Sequence, residues 1–239
     1  MDTPILSIGR VLFHSTVSTI HLRPPQWPDV SFLSDKLPHI SDVDHDTLYR
    51  QAESQAGYFT AGQALEAGMD RSTLRHHARP GGRYRRVGRG LYRLRHFPSS
   101  PHEHVMAAWL PLRSGGAVVS HESALELHDL SDVIPEAVHL TVPRSERGTR
   151  PRAGVRLHTS EDSPRGKEVR SVAGLPVTGV ERSILDSFEA GAQPEQIELA
   201  IHQALERGLT TPSRLRRSAA RRPKRMRQFV ERTEAAAAP

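Results

Sequence analysis

Between Gly57 and Leu94, helix start and stop signals follow one another so closely that no long helix fits, and this segment constrains the fold more than any other. Thr60-Ala61-Gly62-Gln63 is a T-x-x-Q capping box, in which a threonine hydroxyl and a glutamine side chain satisfy free backbone donors at a helix start. It predicts a short helix over about 61–67, broken at Gly68-Met69-Asp70. Asp70 is a strong N-cap for a second helix, Arg71 to about Arg79, which Pro80-Gly81-Gly82 ends. Two short helices around a tight glycine-containing turn form the helix-turn-helix pattern. Tyr84–Val87 and Leu91–Leu94 then read as strands around Gly88-Arg89-Gly90, a basic hairpin placed where a wing belongs. Upstream, Leu48, Tyr49, Ala52 and Ala56 recur at helical spacing before Gly57, so the expected winged module spans 46–97.

Charge supports this reading through its distribution rather than its total. The chain of 239 residues carries a net charge of +6, and 30 of its 33 basic residues are Arg, a bias that says little about partners. Residues 71–95, however, hold nine Arg and no Asp or Glu, a net +9, and residues 207–239 carry +8. The stretch 96–206 between them carries −6. A clustered positive field raises local affinity for phosphate, whereas a solvated structural face usually interleaves both signs. Side chains on the first turns of a recognition helix reach base edges in the major groove, where Arg bonds guanine bidentately. Arg71, Ser72, Thr73, Arg75, His76 and Arg79 are placed to do this, with Leu74 and Ala78 turned to the core. Arg85, Arg86 and Arg89 on the hairpin are expected to hold phosphate or enter the adjacent minor groove. Arg214, Arg217, Arg221 and Arg225 form the candidate second basic surface, for which a solvated face is the competing reading.

The rest of the chain reads as a mixed α/β region over 98–234, entered through the linker-like Pro98-Ser99-Ser100-Pro101. Helices are expected at 102–112 and 122–128, the latter capped by Ser120, and strands at 138–142 and 155–158 around an Arg- and Gly-rich exposed turn. Short strands at 169–172 and 175–177 precede helices opened by Thr178, Pro194 and Thr211-Pro212, and a last helix at 226–233. Residues 1–45, interrupted by Arg23-Pro24-Pro25-Gln26-Trp27-Pro28, are expected to be a poorly ordered extension, and 235–239 a frayed tail. The expected class is therefore α+β, an N-terminal winged helix-turn-helix followed by a mixed α/β domain with a helical end.

Enzymatic readings find little support. With no cysteine, disulfide scaffolds and cysteine-ligated metal sites are excluded. No apolar stretch is long enough for a membrane helix, and no signal peptide is evident, so a cytoplasmic protein without membrane partners is expected. Fourteen histidines invite a metal reading, but His76-His77, His102-x-His104 and His121 with His128 lack the spacing of a known ligand motif and read as surface or capping groups. His121-Glu122-Ser123 matches a triad in composition only, because no G-x-S-x-G elbow surrounds the serine. There is no phosphate-binding glycine motif, and no acidic residue lies two positions before Lys36, Lys167 or Lys224. No catalytic residue, metal or cofactor is expected.

Three runs carry a family resemblance: Gly57-Tyr58-Phe59-Thr60-Ala61-Gly62-Gln63-Ala64, Gly82 through Leu94, and Ser120-His121-Glu122-Ser123-Ala124-Leu125-Glu126-Leu127-His128-Asp129-Leu130. Together with Val138–Pro143, Gly174–Thr178 and Arg182–Asp186, they make the chain over about 46–230 resemble the AbiEi-type antitoxins of type IV toxin–antitoxin systems. The resemblance implies a winged helix that binds operator repeats in double-stranded DNA and represses its own operon, and a C-terminal domain that counters a nucleotidyltransferase toxin. The alternatives are a stand-alone transcriptional regulator whose C-terminal half senses or dimerises, and the remnant of a nuclease.

Overall fold

The computed structural model describes residues 43–237. The expected disordered extension therefore lies outside the described residues except at its end, where Asp44 accepts from the Thr47 backbone N–H at 2.8 Å and caps helix α1, His45–Glu53. Ala56 and Gly57 both adopt positive φ, which ends that helix earlier than the apolar spacing predicts. Strand β1 (Tyr58–Thr60), helices α2 (Ala61–Glu66) and α3 (Arg71–His77), and strands β2 (Tyr84–Gly88) and β3 (Leu91–Leu94) follow. The capping box is complete: Gln63 N–H donates to Thr60 Oγ1, and Thr60 N–H donates to Gln63 Oε1. The hairpin belongs to a three-stranded antiparallel sheet in the order β1-β3-β2, so Tyr58–Thr60 is a strand as well. Phe59 is fully buried there, edge-on to Tyr84 and stacked with Tyr92, in a small core with Leu48, Ala52, Ala64, Met69 and Leu74. Gly82 is required where it stands, because a Cβ would come within 2.2 Å of the His77 carbonyl oxygen.

The second part opens with α4 (Glu103–Trp109), a 3-10 turn over Leu110–Gly115, β4 (Val118–Val119) and α5 (His121–Leu127). It continues through β5 (Val138–Pro143), β6 (Val155–Ser160), β7 (Val169–Val172) and β8 (Leu175–Thr178). The chain closes on α6 (Val180–Glu189), α7 (Pro194–Glu206), α8 (Pro212–Ala219) and α9 (Lys224–Ala237). The five strands form a mixed sheet in the order β6-β5-β4-β8-β7. β5 and β6 pair in parallel, so the loop expected to be an exposed turn is a crossover that returns the chain to the same end of the sheet. Local alternation cannot separate these two cases, because it reports which side chains share a face and not which way the next strand runs. Two boundaries also shift: Thr178 ends β8 and Gly179 caps α6, while Ala235–Ala237 continue α9 instead of fraying.

The expected linker at 98–101 joins parts that share a core. Tyr58 and Leu91 from the first sheet are buried in one apolar cluster with Val105, Met106, Leu110, Val119, Leu140 and Val177 from the second part. A second cluster of Leu125, Ile184, Leu185, Ile197, Ile201, Leu215, Phe229 and others closes the helical end. Among the described residues no helix is long and apolar enough to cross a membrane. Replacing a fully buried Leu with Ala costs about 2–5 kcal/mol. Leu91→Ala should therefore lower the urea midpoint of both sheets in a single transition, read by circular dichroism and, in a Trp27→Phe background, by fluorescence from Trp109; two separate transitions would contradict a shared core.

Candidate functional site

Helix α3 is built from its cap outward. The Asp70 carboxylate accepts from the backbone N–H groups of Ser72 and Thr73 at 2.6 and 2.9 Å. Ser72 Oγ and Thr73 Oγ1 also donate to it, at 2.7 and 2.8 Å. These hydrogen bonds hold the Asp70 carboxyl well below the usual carboxylate range. In this arrangement both hydroxyl protons point to the cap, and the acceptor lone pairs of Ser72 and Thr73 face away from it. Arg71 and Arg75, four apart, and His76 are exposed on α3, and Leu74 is buried. Arg79, expected on the helix, is exposed in the turn beyond it, because α3 ends at His77 with Ala78 as its C-cap. Ala78 is half-buried.

On the hairpin, Arg85, Arg86 and Arg89 are exposed. None of the six arginines at 71, 75, 79, 85, 86 and 89 has a carboxylate within 4.0 Å among the described residues. Two other arginines of the acid-free block are architectural. Arg93 is buried and pairs with Glu103 at 2.6 Å, tying β3 to α4. Arg95 donates to the carbonyls of Arg79, Gly82 and Tyr84 and so fixes the turn between α3 and β2. A third anchor comes from outside the block: Arg152 donates to the Arg89 carbonyl at 2.6 Å and holds the hairpin tip against the β5–β6 crossover.

The C-terminal basic block is organised differently. Arg214 pairs with Glu181 at 2.8 Å, Arg216 with Glu234 at 3.2 Å, and Arg222 with both Asp186 and Glu189 at 2.5 Å. The Arg225 guanidinium lies 5.5 Å from the Phe188 ring centroid. Arg214, one of the four arginines of the expected second surface, is thus paired within the fold while still half exposed. Arg217 and Arg221 keep no carboxylate partner within 4.0 Å among the described residues, and they line a cleft of about 620 Å³ with Arg182, Arg222 and Glu189.

The histidines hold a finding that spacing did not reveal. His121 and His139 are buried and His158 is half-buried, which overturns the reading of His121 as a surface or capping group. One ring nitrogen from each of the three lies within 4.8 Å of the others. β5 places Val138, Leu140 and Val142 on its apolar face and His139 and Thr141 on the other, and the parallel register sets His158 of β6 beside Thr141. His121 arrives from the start of α5, with φ of +55°, and stacks on His158 with ring centroids 3.6 Å apart. Ser120 does not cap α5 with its side chain; its hydroxyl accepts from Thr141 Oγ1 at 2.8 Å and lies 2.9 Å from His121 Nδ1. Burial, reinforced by the neighbouring imidazoles, pushes His121 down to about 2 and His139 down to about 4, so both rings are neutral at pH 7. The alternation Val-His-Leu-Thr-Val was the available sequence signal for an inward polar face, but only the crossover and α5 bring the three rings together. Elsewhere His102 and His104 each lie 3.8 Å from Glu126. Ser123 Oγ accepts from the His139 backbone N–H, and His128 meets the Thr178 carbonyl, so these residues do not assemble a nucleophile–base pair.

No protein-family model matches the chain, and no curated protein matches it significantly. Among solved structures it is similar to the crystal structure of the RV2827C protein from Mycobacterium tuberculosis, with a TM-score of 0.54 and 16% identity over 80% of this chain and 76% of that one. At this identity the likeness is one of fold, an α+β arrangement of helices and two sheets.

The cap of α3 gives a signed pH prediction. Because the folded pKa of Asp70 is depressed, its stabilisation is present above its ordinary value of 3.8 and is lost as pH falls through the lower folded value. Asp70→Ala should therefore lower the urea midpoint at pH 7, and the gap to the unaltered protein should close progressively below pH 3.8, as read by circular dichroism.

Proposed function

We propose that the chain is a DNA-binding antitoxin and autorepressor, in which residues 46–97 act as a winged helix on double-stranded operator DNA. The observation that carries this reading is the exposed Arg71 and Arg75 of α3 and Arg79 just past its end, beside Arg85, Arg86 and Arg89, with no carboxylate within 4.0 Å of any of them among the described residues. An arginine already paired inside the fold would have to break that pair to bind phosphate; these do not. In this reading α3 enters the major groove and its arginines contact base edges, with His76 beside them. Arg85, Arg86 and Arg89 bind the flanking backbone or minor groove, held at a fixed distance by Arg152 and Arg95.

The antitoxin half of the proposal rests on the resemblance of Ser120–Leu130, Val138–Pro143 and Arg182–Asp186 to AbiEi-type antitoxins, whose partner is a nucleotidyltransferase toxin. The shared core argues for testing the two roles by surface substitutions in the whole chain, since separating it at 97 would expose Tyr58 and Leu91. A stand-alone regulator is the second reading, favoured if no nucleotidyltransferase gene adjoins this one; if one does, co-expression with its product should restore growth even when Arg71, Arg75 and Arg79 are all Ala. Failure to restore growth, by either protein, would leave regulation as the function.

DNA binding itself has its own test. Affinity for the DNA upstream of its gene should fall steeply with salt, by roughly one power of ten per phosphate contact for each tenfold rise in salt. Arg75→Ala should cost about 1–3 kcal/mol on the operator and narrow the gap to random DNA, whereas Arg89→Ala should weaken both and reduce the salt slope by about one. Unchanged binding by the Arg71/Arg75/Arg79 triple alanine variant would overturn the proposed reader helix.

A further inference from the structure

The three histidines gathered from α5, β5 and β6 have no role in the DNA reading, and their arrangement differs from ordinary core packing. A buried imidazole needs a partner for each ring nitrogen, and an apolar residue would fill the same space without that demand. Here three are packed against one another, and His158 Nε2 lies 3.2 Å from His139 Nδ1. Two nitrogens bound at about 2.0–2.1 Å to one tetrahedral ion sit about 3.3 Å apart, so this pair already has the spacing of two ligands on one zinc ion. The third ring nitrogen lies within 4.8 Å of both, a distance that rotation of the side chain can close.

The surroundings follow the pattern of outer partners that orient ligating imidazoles. Glu122 Oε2 is 3.6 Å from His139 Nε2, which leaves Nδ1 of that ring turned toward the cluster. Ser120, itself fixed by Thr141, positions the His121 ring through Nδ1. The backbone of His121 is in the left-handed region, a conformation that is strained for a non-glycine residue and here delivers its ring onto His158. Glu122 and His139 also border a cleft of about 580 Å³ with Glu136, Arg156 and Gln196, which supplies a route from solvent.

We infer that His121, His139 and His158 form a three-histidine site for one divalent transition-metal ion of the zinc or cobalt type. Nitrogen ligands select this class over magnesium and calcium, which take oxygen. Three protein ligands leave a fourth position for water or an external ligand, and the ion links α5 to β5 and β6. Such a site rests on none of the basic residues assigned to DNA.

The test is a titration of the untagged, chelator-treated full chain with cobalt(II), followed by visible absorption and then by displacement with zinc. One equivalent should bind with the intense absorption of a tetrahedral site, zinc should displace it, and zinc should raise the melting temperature in proportion to the logarithm of its free concentration. His158→Gln should reduce cobalt affinity at least tenfold, while the His96→Ala/His104→Ala variant, altered at two exposed histidines outside the cluster, should bind as before. Absence of a one-to-one spectrum in the unaltered protein, or a spectrum lost in the His96/His104 variant, would overturn the site and leave a packed imidazole stack. Because the unaltered protein decides the first point, the result stands whether or not His158→Gln folds, and DNA affinity measured on the same samples is independent of it.

Discussion

Leu91 is fully buried in an apolar cluster to which both sheets contribute, and this shared core is the constraint on which the rest of the molecule depends. β3 carries Leu91 into the second part and Arg93 into its buried pair with Glu103, while the same strand pairs with β1 and β2. The hairpin is therefore anchored at its base by packing and at its tip by Arg152. A basic hairpin held at two points has its backbone fixed, so the freedom that its exposed arginines keep is that of their side chains.

The two basic blocks look equivalent as charge counts and differ as chemistry. In the N-terminal block the folded chain spends Arg93 and Arg95 on its own architecture and leaves the exposed arginines of α3 and the hairpin without carboxylates. In the C-terminal block Glu181, Asp186, Glu189 and Glu234 take up Arg214, Arg216 and Arg222, and much of the +8 becomes the internal electrostatics of the helical end. Arg217, Arg221, Lys224, Arg225 and Arg227 remain there, exposed and without a carboxylate within 4.0 Å among the described residues, with Arg225 lying over the Phe188 ring.

How legible each feature was in the sequence follows from the range of the interaction that makes it. Thr60 with Gln63, and Asp70 with Ser72 and Thr73, act across two or three residues, and both caps are found where the residue types place them. The exposed face of α3 follows from the helical period around Leu74 in the same way. Arg95 and Arg152 act over longer separations and looked like any other arginine. The parallel pairing of β5 with β6 depends on the whole sheet, and the short β4 offers only two residues of pattern. The histidine cluster needs that pairing and the placement of α5 together, so each His taken alone could only be tested against its sequence neighbours, which are the wrong partners.

Whether one face, α3 with the hairpin, meets DNA is tested most directly by hydrogen exchange followed by mass spectrometry on the full chain, with and without duplex from upstream of its gene. Protection on adding DNA should concentrate in residues 71–79 and 85–90, with the sheet of β4–β8 unchanged. Protection confined to residues 214–227, or none in α3 under conditions where the duplex is bound, would contradict it.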